Sequence, residues 1–294
     1  MARTTTNPLG THIQVWTASL HPDDIRIAAE KAHSCGYDFL ELPVRDPHSL
    51  DVDGIAKALQ DNDMFCCTPF LHTPATDIGS EDRSIVAKGE ALMYDALSAA
   101  RDMGSHHITG PSHTVLAKHQ TMRTDLERGY AIEVLQRVAE RAKKMGLSIN
   151  FECLNRYESN FSNTCKEALD LIAAIGSDNC YVHLDSFHMN IEEADPVRAI
   201  HRAGSRLGYF HVADNYRGYL GTGSIDFKAL FRALDDIEYQ GPIALEVFSS
   251  AITDPVHSAR LAIWQDTWSD SIDMASHAMA YIKGQMATAS RRPS

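Results

Sequence analysis

Short apolar runs and longer stretches of helical period alternate along the whole chain. The runs at 10–16, 37–42, 64–70, 105–110, 147–153, 179–185, 207–213 and 241–248 have strand length and are bounded by turn residues. Between them, 22–35, 51–62, 80–103, 121–145, 163–175, 193–203 and 226–238 repeat apolar side chains every three to four positions, the period of a half-buried helix. Residues 133–146, EVLQRVAERAKKMG, show the pattern in detail. Val134, Leu135, Val138 and Ala142 share one face, and Lys143, Lys144 and Gly146 end it. Those are cations at the negative end of a helix dipole and a glycine suited to a left-handed cap.

Gly36, Gly104, Gly146, Gly176 and Gly241 each precede or open a short run, where a helix-to-strand connection calls for such a cap. Eight strand–helix alternations without an interior linker predict a single (β/α)₈ TIM barrel spanning about residues 10–250. A helical tail follows at about 253–285, with the whole of 1–294 as one domain and a frayed end at ATASRRPS. A doubly wound sheet would carry a glycine-rich phosphate turn after an early strand. None is present, and no nucleotide cofactor is expected.

Composition narrows the partners. The 294 residues are 44% apolar and 22% charged, as in ordinary globular proteins, and the formal net charge is −12. That acidity opposes a nucleic-acid surface, which needs clustered Lys and Arg. The six cysteines form no C-x-x-C pair, so reduced thiols and a cytoplasmic setting are expected. No apolar run reaches membrane-spanning length, and the amino terminus lacks the apolar stretch of a secretion signal.

The chemistry gathers at the ends of the last four runs. They close on Glu152 (INFE), Asp185 (VHLD), His211 (YFH) and Glu246 (IALE). In a barrel the carboxyl ends of all strands converge on one face, where catalytic groups sit. One acid at a strand end is an ordinary helix cap. Four successive metal-competent groups, each behind an apolar run, point to a shared site. Three carboxylates would repel one another unless a cation joined them, and this oxygen-rich set with one imidazole suits Mn²⁺, with Mg²⁺ or Co²⁺ as alternatives.

ECLNRYESN, HLDSFHMNIEEAD, FHVADNYRGYLGTGSIDF and LEVFSS together resemble the ketose 3-epimerases, the D-tagatose, D-psicose and L-ribulose 3-epimerase family of xylose-isomerase-like barrels. The likeness is specific across 147–250. It departs from the family pattern at Ala213-Asp214, where Gly-Glu is usual, and at Val247, where Pro is usual. The resemblance implies that Glu152, Asp185, His211 and Glu246 hold the metal and that Glu152 and Glu246 are the two acid/base groups. It further implies that Glu158, His188 and Arg217 hold the O1–O3 end of a sugar, and that the chain works as a homodimer or homotetramer.

The implied reaction is epimerisation at C3 of a free ketose through an enediolate. One carboxylate takes the C3 proton while the other returns one to the opposite face. An aldose–ketose isomerase, or an isomerase of a keto acid or inosose, would use the same site. An endonuclease IV-like DNA-repair enzyme would need extra ligands such as Glu41 and His72, and a basic groove.

Bland roles compete for several residues. His188 could cap the next helix, and Arg217 could pair with Asp214 on the surface. Asn155 and Arg156 are expected to brace Glu152 and its loop, and His183 to sit in the core. Trp16, at the end of the first strand, is expected either to wall the pocket or to pack. His106, His107 and His113 have no evident partner. In LAIWQDTWSDSIDMASHAMAYI (261–282), Ile263, Trp264, Trp268, Ile272, Met274, Met279 and Ile282 exceed what one helical stripe needs, which predicts an exposed subunit interface.

Overall fold

The computed structural model describes residues 7–253 and 255–290. Among them, eight parallel strands close a barrel in chain order. They are β1 (Leu9–His12), β2 (Phe39–Glu41), β3 (Phe65–Pro69), β4 (His107–Thr109), β5 (Ser148–Glu152), β6 (Cys180–Asp185), β7 (Leu207–Val212) and β8 (Ile243–Leu245). β8 pairs with β1, Leu9 opposite Ile243, so no strand edge is left open. The strand–helix alternation in the sequence thus forms the expected (β/α)₈ barrel. Ten helices follow in order: α1 (Pro22–Ser34), α2 (Val52–Gln60), α3 (Arg83–Asp102), α4 (Asp125–Lys144), α5 (Cys165–Ile175), α6 (Ser186–Glu192), α7 (Pro196–Ala203), α8 (Phe227–Asp236), α9 (Pro255–Leu261) and α10 (Ser271–Ala289).

Local chemistry sets many of the boundaries. Thr124 with Glu127, and Thr164 with Glu167, form reciprocal capping boxes at the starts of α4 and α5. The segment expected as one helix at 193–203 is preceded by a second one. Asp185 caps α6, Asp195 caps α7, and Pro196 occupies the first turn of α7, where its missing N–H costs nothing. Gly36, Gly104, Gly146 and Gly176 take left-handed conformations as expected. Gly241 does not; Glu238 supplies the positive φ after α8 instead.

The strands are shorter than the apolar runs. The chain after His12 coils into a 3₁₀ turn at Ile13–Val15 that remains buried, so apolarity continues past the end of β1. Inside the barrel Phe39, Cys67, Tyr209 and Ala244 pack as one layer, giving a floor to whatever lies above.

The expected interface patch is largely absorbed into the fold. Residues 262–270 are not helical, so Trp264 and Trp268 do not share a helix face. Trp268, Met274, Met279 and Ile282 are buried, and the Tyr37 hydroxyl donates to the Ala275 carbonyl at 2.9 Å to fix α10 on the barrel. Trp264 and Ile272 stay exposed. At the expected frayed end, Ala287–Ala289 belong to α10, and 291–294 lie outside the described residues. No helix among the described residues is long and apolar enough to cross a membrane.

Candidate active site

Parallel register brings the strand ends to one level. Asp185 stands opposite His211 across β6 and β7, and His12 opposite Glu41 across β1 and β2. Glu152 and Glu246 arrive from β5 and from the residue after β8. A cavity opens above them. Glu152, Glu158, His188, His211, Arg217 and Glu246 line its polar side.

The ligand atoms of Glu152, Asp185, His211 and Glu246 all lie within 4.8 Å of one another. Nδ1 of His211 stands 3.3 Å from Glu246 Oε2, 3.5 Å from Glu152 Oε1 and 3.9 Å from Asp185 Oδ2. This buried nitrogen has no hydrogen-bond partner. First-row divalent cations bind oxygen and nitrogen at about 2.0–2.2 Å, which sets neighbouring ligands roughly 3 Å apart. Four such donors, with an orphaned imidazole nitrogen between carboxylates, fit a divalent cation. The grouping Glu152, His183 and His211 also lies within 4.8 Å. However, the Gly110 N–H donates to His183 Nδ1 at 3.4 Å, which puts that ring's proton on Nε2 and makes it a donor rather than a ligand.

The electrostatics tell the same story. Burial raises Glu152 to about 7 and Asp185 to about 8. Burial acts on Glu246 too, but Arg217 and His211 outweigh it and hold that carboxyl well below its ordinary value. Burial alone would lower His211, yet the carboxylates of Glu41, Glu246 and Glu152 push it well above. Anionic groups crowded out of water demand positive charge at their centre.

Each neighbouring side chain has a defined place. Arg217 adopts φ +60°, a costly conformation for a non-glycine residue. Its Nη1 lies 2.9 Å from Asp185 Oδ2 and 2.7 Å from Glu246 Oε2, and its guanidinium covers the Phe187 ring at 4.0 Å. The surface pair with the Asp214 carboxylate does not form. That buried carboxylate accepts from the N–H groups of Asn215, Gly221 and Gly223 and so ties down the loop bearing Arg217. A Cβ on Gly223 would stand 2.0 Å from Asp214 Oδ1, so the close approach requires glycine.

His188 does not cap α6, because Asp185 does. Its Nδ1 is paired with the Asn155 amide at 2.8 Å, and Nε2 faces Glu152 and Asp185 at 3.7 and 3.6 Å. Asn155 also donates to Glu158 Oε1 at 2.7 Å, so it braces Glu158 and His188 rather than Glu152. Arg156 lies outside, bonded to Glu192 of α6.

Trp16 is not part of the cavity lining. β1 ends four residues before it, and its indole N–H donates to Thr11 Oγ1 at 2.8 Å. The first-strand contribution to the lining is His12, whose strand end is concealed in the sequence by the apolar residues that follow it. Glu41 is expected as an extra ligand only on the nuclease alternative. It is bonded instead to His211, and His72 to the Ser112 carbonyl, so neither joins a metal-competent group among the described residues. That removes the ligands a zinc cluster would need.

The other wall is apolar: Pro43, Pro69, Leu71, Pro111, Leu116 and Leu154, with Leu261 from α9 and Arg45 at an exposed position.

This barrel and site define a class. The sequence model of the xylose isomerase-like TIM barrel family matches residues 29–276. The ketose 3-epimerase of Arthrobacter globiformis is 35% identical over 278 residues, covering 95% of this chain and 96% of the relative. The L-ribulose 3-epimerase of Methylomonas sp. (strain DH-1) is 37% identical, covering 93% and 96%. Among solved structures, D-allulose 3-epimerase from Methylomonas sp. in complex with D-allulose superposes with a TM-score of 0.93 at 36% identity, covering 97% of this chain and 99% of that one. Within the xylose isomerase-like barrels, the chain belongs to the ketose 3-epimerase family.

Proposed function

We propose that this protein interconverts free ketoses epimeric at C3, with Glu152 and Glu246 as opposed acid and base. The observation that carries this reading is their placement. They come from β5 and β8, which are not neighbours, and both put an oxygen within 3.5 Å of the same buried imidazole nitrogen, beneath one cavity. One carboxylate takes the C3 proton from its side of the sugar, and the other delivers a proton from the opposite side, inverting the centre. Glu152, Asp185, His211 and Glu246 would hold a divalent cation, Mn²⁺ or in its place Mg²⁺ or Co²⁺. When bound, it polarises the C2 carbonyl and makes the neighbouring C–H acidic.

Glu158, His188 and Arg217 hold the hydroxyls of the C1–C3 end. The apolar wall receives C4–C6 and selects by shape. Six unpaired cysteines suit a reducing compartment such as the cytoplasm. The chain assembles as a homodimer or homotetramer, with the exposed Trp264 and Ile272 available for contact rather than the whole of 261–282.

The test is turnover of D-fructose and L-ribulose, read as appearance of the C3 epimer. Activity should vanish with a chelator and return with Mn²⁺. Full activity in chelator, or no C3 epimer from any ketose, defeats the proposal.

A further inference from the structure

Glu41 ends β2 inside the barrel mouth, and its carboxylate is fully buried. Oε1 lies 2.8 Å from Nε2 of His211, while Oε2 has no hydrogen-bond partner. Its register partner on β3 is Cys67, and Phe39 and Tyr209 pack in the same layer. These are poor hosts for a carboxylate, so the imidazole is what makes Glu41 tolerable there.

A carboxylate oxygen accepts and does not donate, so the proton of that bond sits on Nε2. A neutral His211 then carries a bare lone pair on Nδ1, the atom that faces Glu152, Asp185 and Glu246. Exchange of the tautomer would put a proton where a cation must bind. The ring is also held from its edge: His183 crosses it at a centroid distance of 4.2 Å and Tyr209 at 5.5 Å. Packing alone fixes the ring plane but not which nitrogen carries the proton. The Glu41 bond fixes both.

We propose that Glu41 is a positioning residue: by locking the Nε2–H tautomer of His211 it aims Nδ1 at the other three ligands and sets the affinity of the site for a divalent cation. This rests on the cation-dependent function proposed above. Carboxylate partners of ligating histidines typically govern metal affinity by 10–100-fold.

The test is Mn²⁺ titration of chelator-stripped wild type and Glu41→Gln, with thermal unfolding of both in chelator as the control. The near-isosteric variant should unfold within a few degrees of wild type yet bind Mn²⁺ about 10–100-fold more weakly. Its activity at limiting Mn²⁺ should fall in step and rise again with excess Mn²⁺. A folded Glu41→Gln protein with wild-type affinity overturns the proposal while leaving the ketose reading intact. Wild type that binds no Mn²⁺ overturns both. If the variant does not fold, ¹⁵N-histidine spectra of Mg²⁺-loaded wild type decide. A His211 proton on Nε2 upholds the inference, and a proton on Nδ1 ends it.

Discussion

Strands β5 to β8 and strands β1 to β4 face the same cavity with different side chains. The later half brings Glu152, Asp185, His211 and Glu246 to a point, with Arg217 and His188 against them. The earlier half brings His12 and a wall of Pro43, Pro69, Leu71, Pro111 and Leu116. Behind that wall its histidines are buried and bonded to neutral groups, His72 to the Ser112 carbonyl and His113 to the Ser162 hydroxyl. The later half concentrates charge, which the proposed proton transfer beside a carbonyl would need. The earlier half brings Arg45 to the lining and Glu41 behind His211, and on the proposed function its apolar wall is left to recognise shape. On that proposal one barrel mouth is divided between chemistry and grip, joined by the Glu41–His211 bond that spans the two halves.

The largest effect should come from neutralising the later half. Glu152→Gln or Glu246→Gln keeps volume and removes a proton carrier, and kcat should fall by about 10³-fold with the unfolding midpoint nearly unchanged. Comparable losses in KM with intact kcat would instead make these residues mere sugar binders.

The earlier half should show itself in acid stability. Burial lowers His72 to about 4 and His113 to about 3. Between those values and the unfolded value near 6.5, the unfolded chain binds protons that the native chain refuses. The stability these residues confer is therefore complete above about pH 6.5 and is lost as pH falls toward 4, by roughly 3 kcal/mol for each histidine. Urea unfolding at pH 7 and pH 4.5 checks this. His72→Gln or His113→Gln should flatten the decline, and an unaltered decline in both variants would refute the assignment.

A smaller effect is expected at the wall. Leu116→Ala should change the kcat/KM ratio between a hexulose and a pentulose by about tenfold, since a few methylene contacts are at stake. Equal loss on both sugars would mean that Leu116 does not meet the distal carbons. The least effect on catalysis should come from Trp264→Glu, which light scattering should find shifted toward monomer. An unchanged assembly would place the interface elsewhere.

The division also explains what could be read from sequence. Glu152, Asp185 and Glu246 each close a buried apolar run, so period and charge together mark the strand end. His12 ends its strand too, but Ile13–Val15 stay buried in a 3₁₀ turn and hide the boundary. Trp16 was misplaced for the same reason. α6 was missed because its cap, Asp185, is also a site residue and its seven positions are too few to show a period. Arg217 is assigned to the site by the resemblance alone; composition and period leave the pair with Asp214 open, since its direction depends on a positive φ and on a loop tied by Asp214. The tail misled because a pattern of seven large apolar residues means nothing about exposure until Trp268, Met274, Met279 and Ile282 are seen against the barrel.

The central claim is that one proton, at C3, is removed on one side and replaced on the other. Turnover of a ketose in D₂O, with the product mapped by NMR, tests it most directly. The account predicts deuterium at C3 of the epimerised sugar and none at C1. Deuterium at C1 or C2 with C3 left protonated would contradict it and make the protein an aldose–ketose isomerase.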